Sequence, residues 1–234
     1  MPLFLTDRNS ELTEWMDKPD CDSELLFNTY RQFKTINKLL SGWKSIYKAH
    51  IKPVLEQTSK SVTILDIGCG GGDIIRYLDN LCKKDGHIAT FTGIDPDQRS
   101  MEYLNGLDWP ENITFYPTPS ADLVTKNQRF DIVISNHLLH HLEPENLRSV
   151  CQDAEILASQ KVLFSDIERS DIGYASFKVI APLLFRNSYI VRDGLISIKK
   201  SYRKQELLDK LPAGWTVQRR FPFRLLAVYE QEAP

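Results

Sequence analysis

From Ser23 onward apolar and aromatic residues recur every three or four positions, at Leu26, Tyr30, Phe33, Ile36 and Leu40, which predicts a helix stopping at Gly42. A second helix is expected from Trp43 to about Gln57, with Pro53 as a kink or boundary. The period then changes. Val62–Ile67, Ala89–Ile94, Ile113–Tyr116, Phe130–Ser135 and Lys161–Asp166 are short apolar runs that read as strands. Between them lie helical stretches: Asp73 to Cys82, Asp97 to Gly106, and a stripe after Pro144 made of Leu147, Val150, Cys151, Ala154, Leu157 and Ala158. Strand and helix in alternation predict an α/β fold around a parallel sheet, and the unbroken Ile132-Val133-Ile134 predicts a strand buried on both faces.

After the fifth strand the alternation stops. Residues 170–197 carry Tyr174, Phe177, Val179, Ile180, Leu183, Leu184, Phe185 and Tyr189, enough apolar surface for a lid or a dimer contact, and equally for a core helix with a long connection. A helix from Arg203 to Leu211, capped by Ser201, and a terminal antiparallel hairpin across Phe221-Pro222-Phe223 follow. Residues 1–20 are polar and read as a loosely ordered arm. The expected organisation is one domain: an N-terminal arm and helices (1–57), a core (62–166), the lid-like or dimer segment (170–197), and a helix with the hairpin (201–234).

A composition of 42% hydrophobic and 26% charged residues suits a globular chain, and a net charge of -2 gives no global field to attract nucleic acid. Basic residues do gather late, at Arg192, Lys199, Lys200, Arg203, Lys204, Arg219, Arg220 and Arg224; solvated faces explain them more simply than a docking site for an acidic partner. Cys21, Cys69, Cys82 and Cys151 lack metal-site spacing and read as free thiols in a reducing compartment. No secretory leader or membrane span is read in the chain, which makes the cytoplasm the expected location.

The chemistry concentrates in Asp66-Ile67-Gly68-Cys69-Gly70-Gly71-Gly72-Asp73. A glycine turn between strand and helix lets the backbone approach a ligand closely. A dinucleotide would need G-x-G-x-x-G, yet the third glycine falls on Asp73 or Ile75, and carboxylates at Asp66 and Asp73 would repel a pyrophosphate. They suit a cation instead. S-adenosylmethionine carries an ammonium and a sulfonium, and its carboxylate is expected on free N–H groups of the loop. Asp95, in Asp95-Pro96-Asp97 at the end of the second strand, can accept both ribose hydroxyls; Asp97 reads as a possible helix cap.

Asp66, Gly68, Gly70 and Gly72 match Asp-x-Gly-x-Gly-x-Gly, and the segment resembles motif I of class I S-adenosylmethionine-dependent methyltransferases. The Phe130–Leu142 segment resembles the family's fourth-strand region in small-molecule enzymes, with greatest likeness to the ubiquinone and menaquinone biosynthesis type. The resemblance implies a Rossmann-like, doubly wound, mostly parallel seven-stranded sheet. It places Asp66, Gly68, Cys69, Gly70, Gly72, Asp95 and Pro96 on the cofactor, and Asn136 and His137 beside its methionine part. The family's acid for the adenine amino group is missing: Pro119 or Ser120 stands there, leaving Asp122, or Ser120 and Ala121, to hold the base.

His137, His140, His141 and Asp166 are the candidate catalytic groups, with Glu168 a rival. A metal on His137 and His141 is not expected, since Leu138 replaces the Glu of H-E-x-x-H and no third ligand is evident. The reading is O- or C-methylation of a small, partly apolar acceptor, phenolic, quinone-like or polyketide, by a monomer or homodimer. RNA or protein methylation, and a non-catalytic protein of the same fold, are the alternatives.

Overall fold

The computed structural model describes residues 3–231; the first two residues of the N-terminal arm and the last three of the C-terminal segment lie outside the described residues. Strands β1 (Val62–Ile67), β2 (Ala89–Ile94), β3 (Ile113–Tyr116), β4 (Phe130–Asn136), β5 (Ala158–Ile167), β6 (Thr216–Arg220) and β7 (Arg224–Glu230) form one sheet in the order β3-β2-β1-β4-β5-β7-β6. The first five are parallel, and β7 runs antiparallel to both β5 and β6. Because chain order reverses between β1 and β4, the loops leaving these neighbours open a crevice at the carboxyl edge, where open α/β sheets bind ligands.

Successive strand side chains face opposite ways, and both faces are buried. Ile64, Ile132 and Ile134 pack with Ile75 and Leu78 of α4 (Asp73–Lys84) on one side. Leu65 and Val133 pack with Leu147, Cys151 and Ala154 of α7 (Pro144–Leu157) on the other. Helix α5 (Gln98–Asn105) follows β2, and Asp97 caps it by accepting the Arg99 N–H at 2.9 Å.

Helix α1 (Ser23–Leu40) forms as expected, capped by Asp22. The second predicted helix is broken into α2 (Trp43–Ile46), a π turn (Tyr47–Ile51) and α3 (Lys52–Glu56). Pro53 has no N–H to donate and its ring crowds the preceding turn, so the helix widens before it. A short helix, α6 (Ser120–Thr125), follows β3 where no apolar period announced it. Ala158 belongs to β5 and not to the helical stripe, since α7 ends at Leu157.

The segment after β5 is a helical pair, α8 (Asp171–Leu184) and α9 (Ile190–Lys200). Ile172, Val179 and Leu183 of α8 are exposed, while Phe177 and Ala181 face inward. Next comes α10, shorter than predicted (Lys204–Leu208), and its cap is Arg203, whose N–H is accepted by Glu206 at 2.9 Å. Ser201 instead donates to the Ser197 carbonyl and closes α9.

The N-terminal segment is not a loose arm over its described length. Asp171 accepts the N–H groups of Leu3, Phe4 and Leu5, and Asp193 those of Trp15 and Met16. Buried Arg169 donates to the Leu5, Thr6 and Ser201 carbonyls and pairs with Glu206. Arg8 reaches the carbonyls of Lys200, His140 and Leu142. The apolar spacing of this segment is too sparse to signal docking, which rests on backbone polar groups.

Candidate active site

A cavity of about 690 Å³ opens over the carboxyl edge of the sheet. Its floor is the β1 loop, the end of β2 and the end of β4; α1, the N-terminal segment, α8 and α9 supply its walls. The β1 loop is left-handed at Gly68, Gly70 and Gly72, so its backbone folds tightly beneath α1. A Cβ on Gly71 would stand 2.8 Å from the Tyr30 side chain, which shows how closely α1 covers the loop.

Three carboxylates converge on the floor. Asp66 is buried and its Oδ1 has no partner; burial, then the nearby Asp73 and Asp95, push its carboxyl well above the usual range. Asp73 accepts a hydrogen bond from Asn37 Nδ2 at 3.0 Å, and burial raises it to about 6. Asp95 accepts the Gly70 N–H at 3.0 Å and the Asp97 N–H at 2.9 Å; burial raises it too. Crowded acids under an apolar cover favour a cation, since each is otherwise held in an unfavourable charged form.

The amides of the loop are committed differently from expectation. Gly68 and Cys69 donate to the Ile94 carbonyl, Gly70 to Asp95 and Gly72 to the Cys69 carbonyl. These four are therefore not free N–H groups for a ligand carboxylate. Cys69 is buried beneath the loop, and burial pushes its thiol well up. Pro96 lines the cavity beside Asp95.

Asn136 and His137 stand at the end of β4 as the sequence places them. Asn136 Oδ1 accepts from Trp43 Nε1 at 3.1 Å and from Arg224 Nη2 at 2.7 Å. His137 is left-handed, and its Nε2 lies 2.8 Å from Arg224 Nη1, so it accepts and the ring is neutral. Burial first, and then the Arg224 charge, hold its pKa well below the usual imidazole value. Arg224 is buried, faces the cavity, also donates to Ser165 Oγ at 3.0 Å, and is lowered by burial to about 10.

His140 and Asp166 form a buried pair. The carboxylate accepts the His140 N–H at 2.8 Å and lies 2.7 Å from Nδ1. Burial opposes charge on both, but their mutual attraction wins: Asp166 is held well below the carboxylate range and His140 is raised to about 9. His141 lies against His140, ring centroids 4.2 Å apart, with its Nδ1 3.0 Å from Asp17. Glu168 lines the cavity and pairs with Arg219.

Ser120, Ala121 and Asp122 are placed elsewhere. Ser120 opens α6 and donates to Asp153 at 2.6 Å, while Asp122 accepts from Thr118 at 2.7 Å; none of the three lines this cavity. The residues that sequence reasoning left out come from distant segments: Glu14, Tyr30 and Arg224. Tyr30 sits on the apolar stripe of α1, and its hydroxyl lies 3.2 Å from Ser100 Oγ. Arg224 was grouped with solvated basic residues, and no local signal distinguishes it; only the β5–β7 pairing, with Arg224 opposite Ile167, brings it to the site.

A model of a methyltransferase domain family matches residues 64–160. The chain is 29% identical over 165 residues to a ubiquinone biosynthesis O-methyltransferase of Bartonella quintana (strain Toulouse), a match covering 68% of this chain and 62% of that protein. It is 30% identical over 131 residues to the protein of the same name from Coxiella burnetii (strain Dugway 5J108-111), covering 55% of this chain and 53% of that one. The chain thus matches less than two thirds of the length of these relatives. Among solved structures, the plantazolicin methyltransferase BpumL in complex with SAH is similar in fold, with a TM-score of 0.65, 15% identity, and coverage of 94% of this chain and 93% of that one. The glycine loop, the carboxylates beneath it, the strand order and these likenesses agree: residues 64–160 match a methyltransferase domain, and the fold is that of S-adenosylmethionine-dependent methyltransferases.

Proposed function

We propose that the protein binds S-adenosylmethionine over the β1 loop and transfers its methyl group to an oxygen or carbon of a small, partly apolar acceptor. The observation that carries this reading is the convergence of Asp66, Asp73 and Asp95 beneath an apolar cavity, with an unpartnered buried oxygen on Asp66. Asp73 and Asp66 would neutralise the ammonium, Asp95 would hold the ribose, and Pro96 would lie beside it. When bound, the cofactor supplies an electrophilic methyl group. The chain's own work is alignment and exclusion of water.

The acceptor would occupy the part of the cavity lined by Asn136, His137 and Arg224 together with Phe177, Ile180 and Ala181. A neutral His137 and a cationic Arg224 suit an acceptor oxygen that carries negative charge in the reaction. Such an oxygen needs no separate base. The apolar roof supports a small phenolic, quinone-like or polyketide acceptor. A macromolecular acceptor gains little support, because the late basic residues are scattered: Arg224 and Lys200 are buried and Arg219 is paired. The four free cysteines fit a reducing, cytoplasmic setting, and no described helix is long and apolar enough to cross a membrane.

Calorimetry with S-adenosylmethionine and S-adenosylhomocysteine is expected to show binding to one site, and labelled donor is expected to pass its methyl group to a phenolic acceptor panel. Absence of binding would overturn the reading. Binding of S-adenosylhomocysteine is also expected to weaken as pH falls through about 6, where Asp73 gains its proton and loses the charge that meets the ammonium. In the ligand-free protein the sign is opposite: a raised carboxyl contributes least stability above its folded pKa, so its contribution declines as pH rises to about 6. A flat affinity profile across this interval would count against Asp73.

A further inference from the structure

We propose that Glu14, His140 and His141 form a site for a first-row divalent metal ion, zinc being the best match, on the wall of the acceptor cavity. Glu14 comes from the N-terminal segment, before the stretch shared with the methyltransferase domain, and the two histidines from the turn after β4. Glu14 Oε1 lies 3.3 Å from His140 Nε2 and 3.7 Å from His141 Nε2, and one ligand atom from each residue falls within 4.8 Å of the others. Two ligands each ~2.0–2.1 Å from one zinc ion at a tetrahedral angle stand roughly 3.4 Å apart. The 3.3 and 3.7 Å spacings from Glu14 Oε1 bracket that value.

The outer contacts are in place as well. Metal-bound imidazoles commonly present their other nitrogen to a carboxylate, which fixes the tautomer and leaves the coordinating lone pair inward. Asp166 holds His140 Nδ1 at 2.7 Å and Asp17 holds His141 Nδ1 at 3.0 Å, so both rings turn Nε2 towards Glu14. Ser197 Oγ, 2.9 Å from Glu14 Oε1, orients the third ligand. His140 Nε2 is buried and has no hydrogen-bond partner of acceptable geometry.

Charge points the same way. Glu14, Asp17 and Asp166 meet the two rings, with Lys200 and Arg224 at the margin. A divalent ion would offset that excess of carboxylate without a proton on each imidazole. Two nitrogens and one carboxylate oxygen suit zinc, iron or cobalt better than magnesium or calcium. Glu14, His140 and His141 all line the cavity, so a fourth coordination position would open to it. Use of that position to hold an acceptor oxygen rests on the methyl-transfer reading; the metal site itself does not.

The test measures metal without activity. The full chain is stripped with a chelator, dialysed, and titrated with Co(II) and Zn(II). One Zn(II) per chain by elemental analysis, and the intense visible absorption of four-coordinate Co(II), are the expected results. Glu14→Gln and His141→Ala are expected to weaken Zn(II) binding at least tenfold, and Asp17→Asn, which removes only an outer contact, about 10–100-fold. Asp17 and His141 are part-exposed, so these variants keep the test open if a change at buried Glu14 prevents folding; melting curves confirm the fold of each. No stoichiometric binding, or binding that His141→Ala and Asp17→Asn leave unchanged, would overturn the proposal. Failure of cofactor binding in calorimetry, with the metal titration intact, would overturn the transfer reading and leave the metal site standing.

Discussion

Asp66→Asn is expected to make the ligand-free protein more stable and to make it a poorer binder of S-adenosylmethionine. The carboxylate is buried, one oxygen lacks a partner, and Asp73 and Asp95 repel it. Its folded pKa lies well above the value near 3.9 of an unfolded chain, so the folded state disfavours its charge increasingly as pH rises. Asn is a neutral group of the same shape. A gain of about 1–3 kcal/mol near neutral pH, comparable to relief of an unsatisfied buried polar group, is expected in melting curves, and it should shrink towards acid pH. Cofactor affinity should fall about tenfold to a hundredfold, ~1.4–2.8 kcal/mol, as the sulfonium and ammonium lose a facing charge. Calorimetry beside melting curves reads both. Lower stability with unchanged affinity would show that Asp66 serves the fold and not the ligand.

Gly72→Ala is expected to cost about 2–5 kcal/mol of folding stability, the sum of a left-handed backbone forced on a residue with a Cβ and of overpacking. Gly72 has φ +70, and its added Cβ would lie 2.8 Å from Trp109, 3.0 Å from Leu104 and 3.1 Å from Phe115. Trp109 is held by its Nε1–H on the Leu104 carbonyl, by the edge of Phe115 and by the Arg76 guanidinium, and α4 starts immediately after Gly72. Gly86 provides the control: φ is +77 but nothing lies within 4 Å, so Gly86→Ala should lose only the backbone part, about 1–2 kcal/mol. Denaturant midpoints for both variants measure the difference. Equal losses would mean that sterics at Gly72 are relieved by movement of the Trp109 ring.

The parallel core was legible because it is written in local patterns. Ile64-Leu65 and Ile132-Val133-Ile134 are apolar at consecutive positions, as in strands buried on both faces, and the glycines after Ile67 mark the ligand turn. Asp66, Asp95, Asn136 and His137 were found for the same reason: each stands where a strand ends. Short or polar elements escaped, as Ser120–Thr125 shows, having too few turns to display a period. So did residues whose position depends on tertiary pairing. Nothing near Glu14 in sequence announces a buried acid, and its burial follows from the docking of the backbone on Asp171 and Asp193.

The chamber over the sheet has a floor and walls of different ancestry in the chain. The floor falls within the stretch matched by the methyltransferase domain model, residues 64–160, whereas the covering surfaces come from the opening forty residues and from the helical pair after β5. Tyr30, Asn37 and Glu14 reach inward from a segment held by backbone hydrogen bonds to Asp171 and Asp193 and by the packing of Leu26, Tyr30 and Phe33 against the helical pair. On the methyl-transfer reading, exchange of the first forty residues between relatives is expected to change acceptor choice and donor affinity together, because Asn37 holds Asp73 and Tyr30 covers the glycine loop.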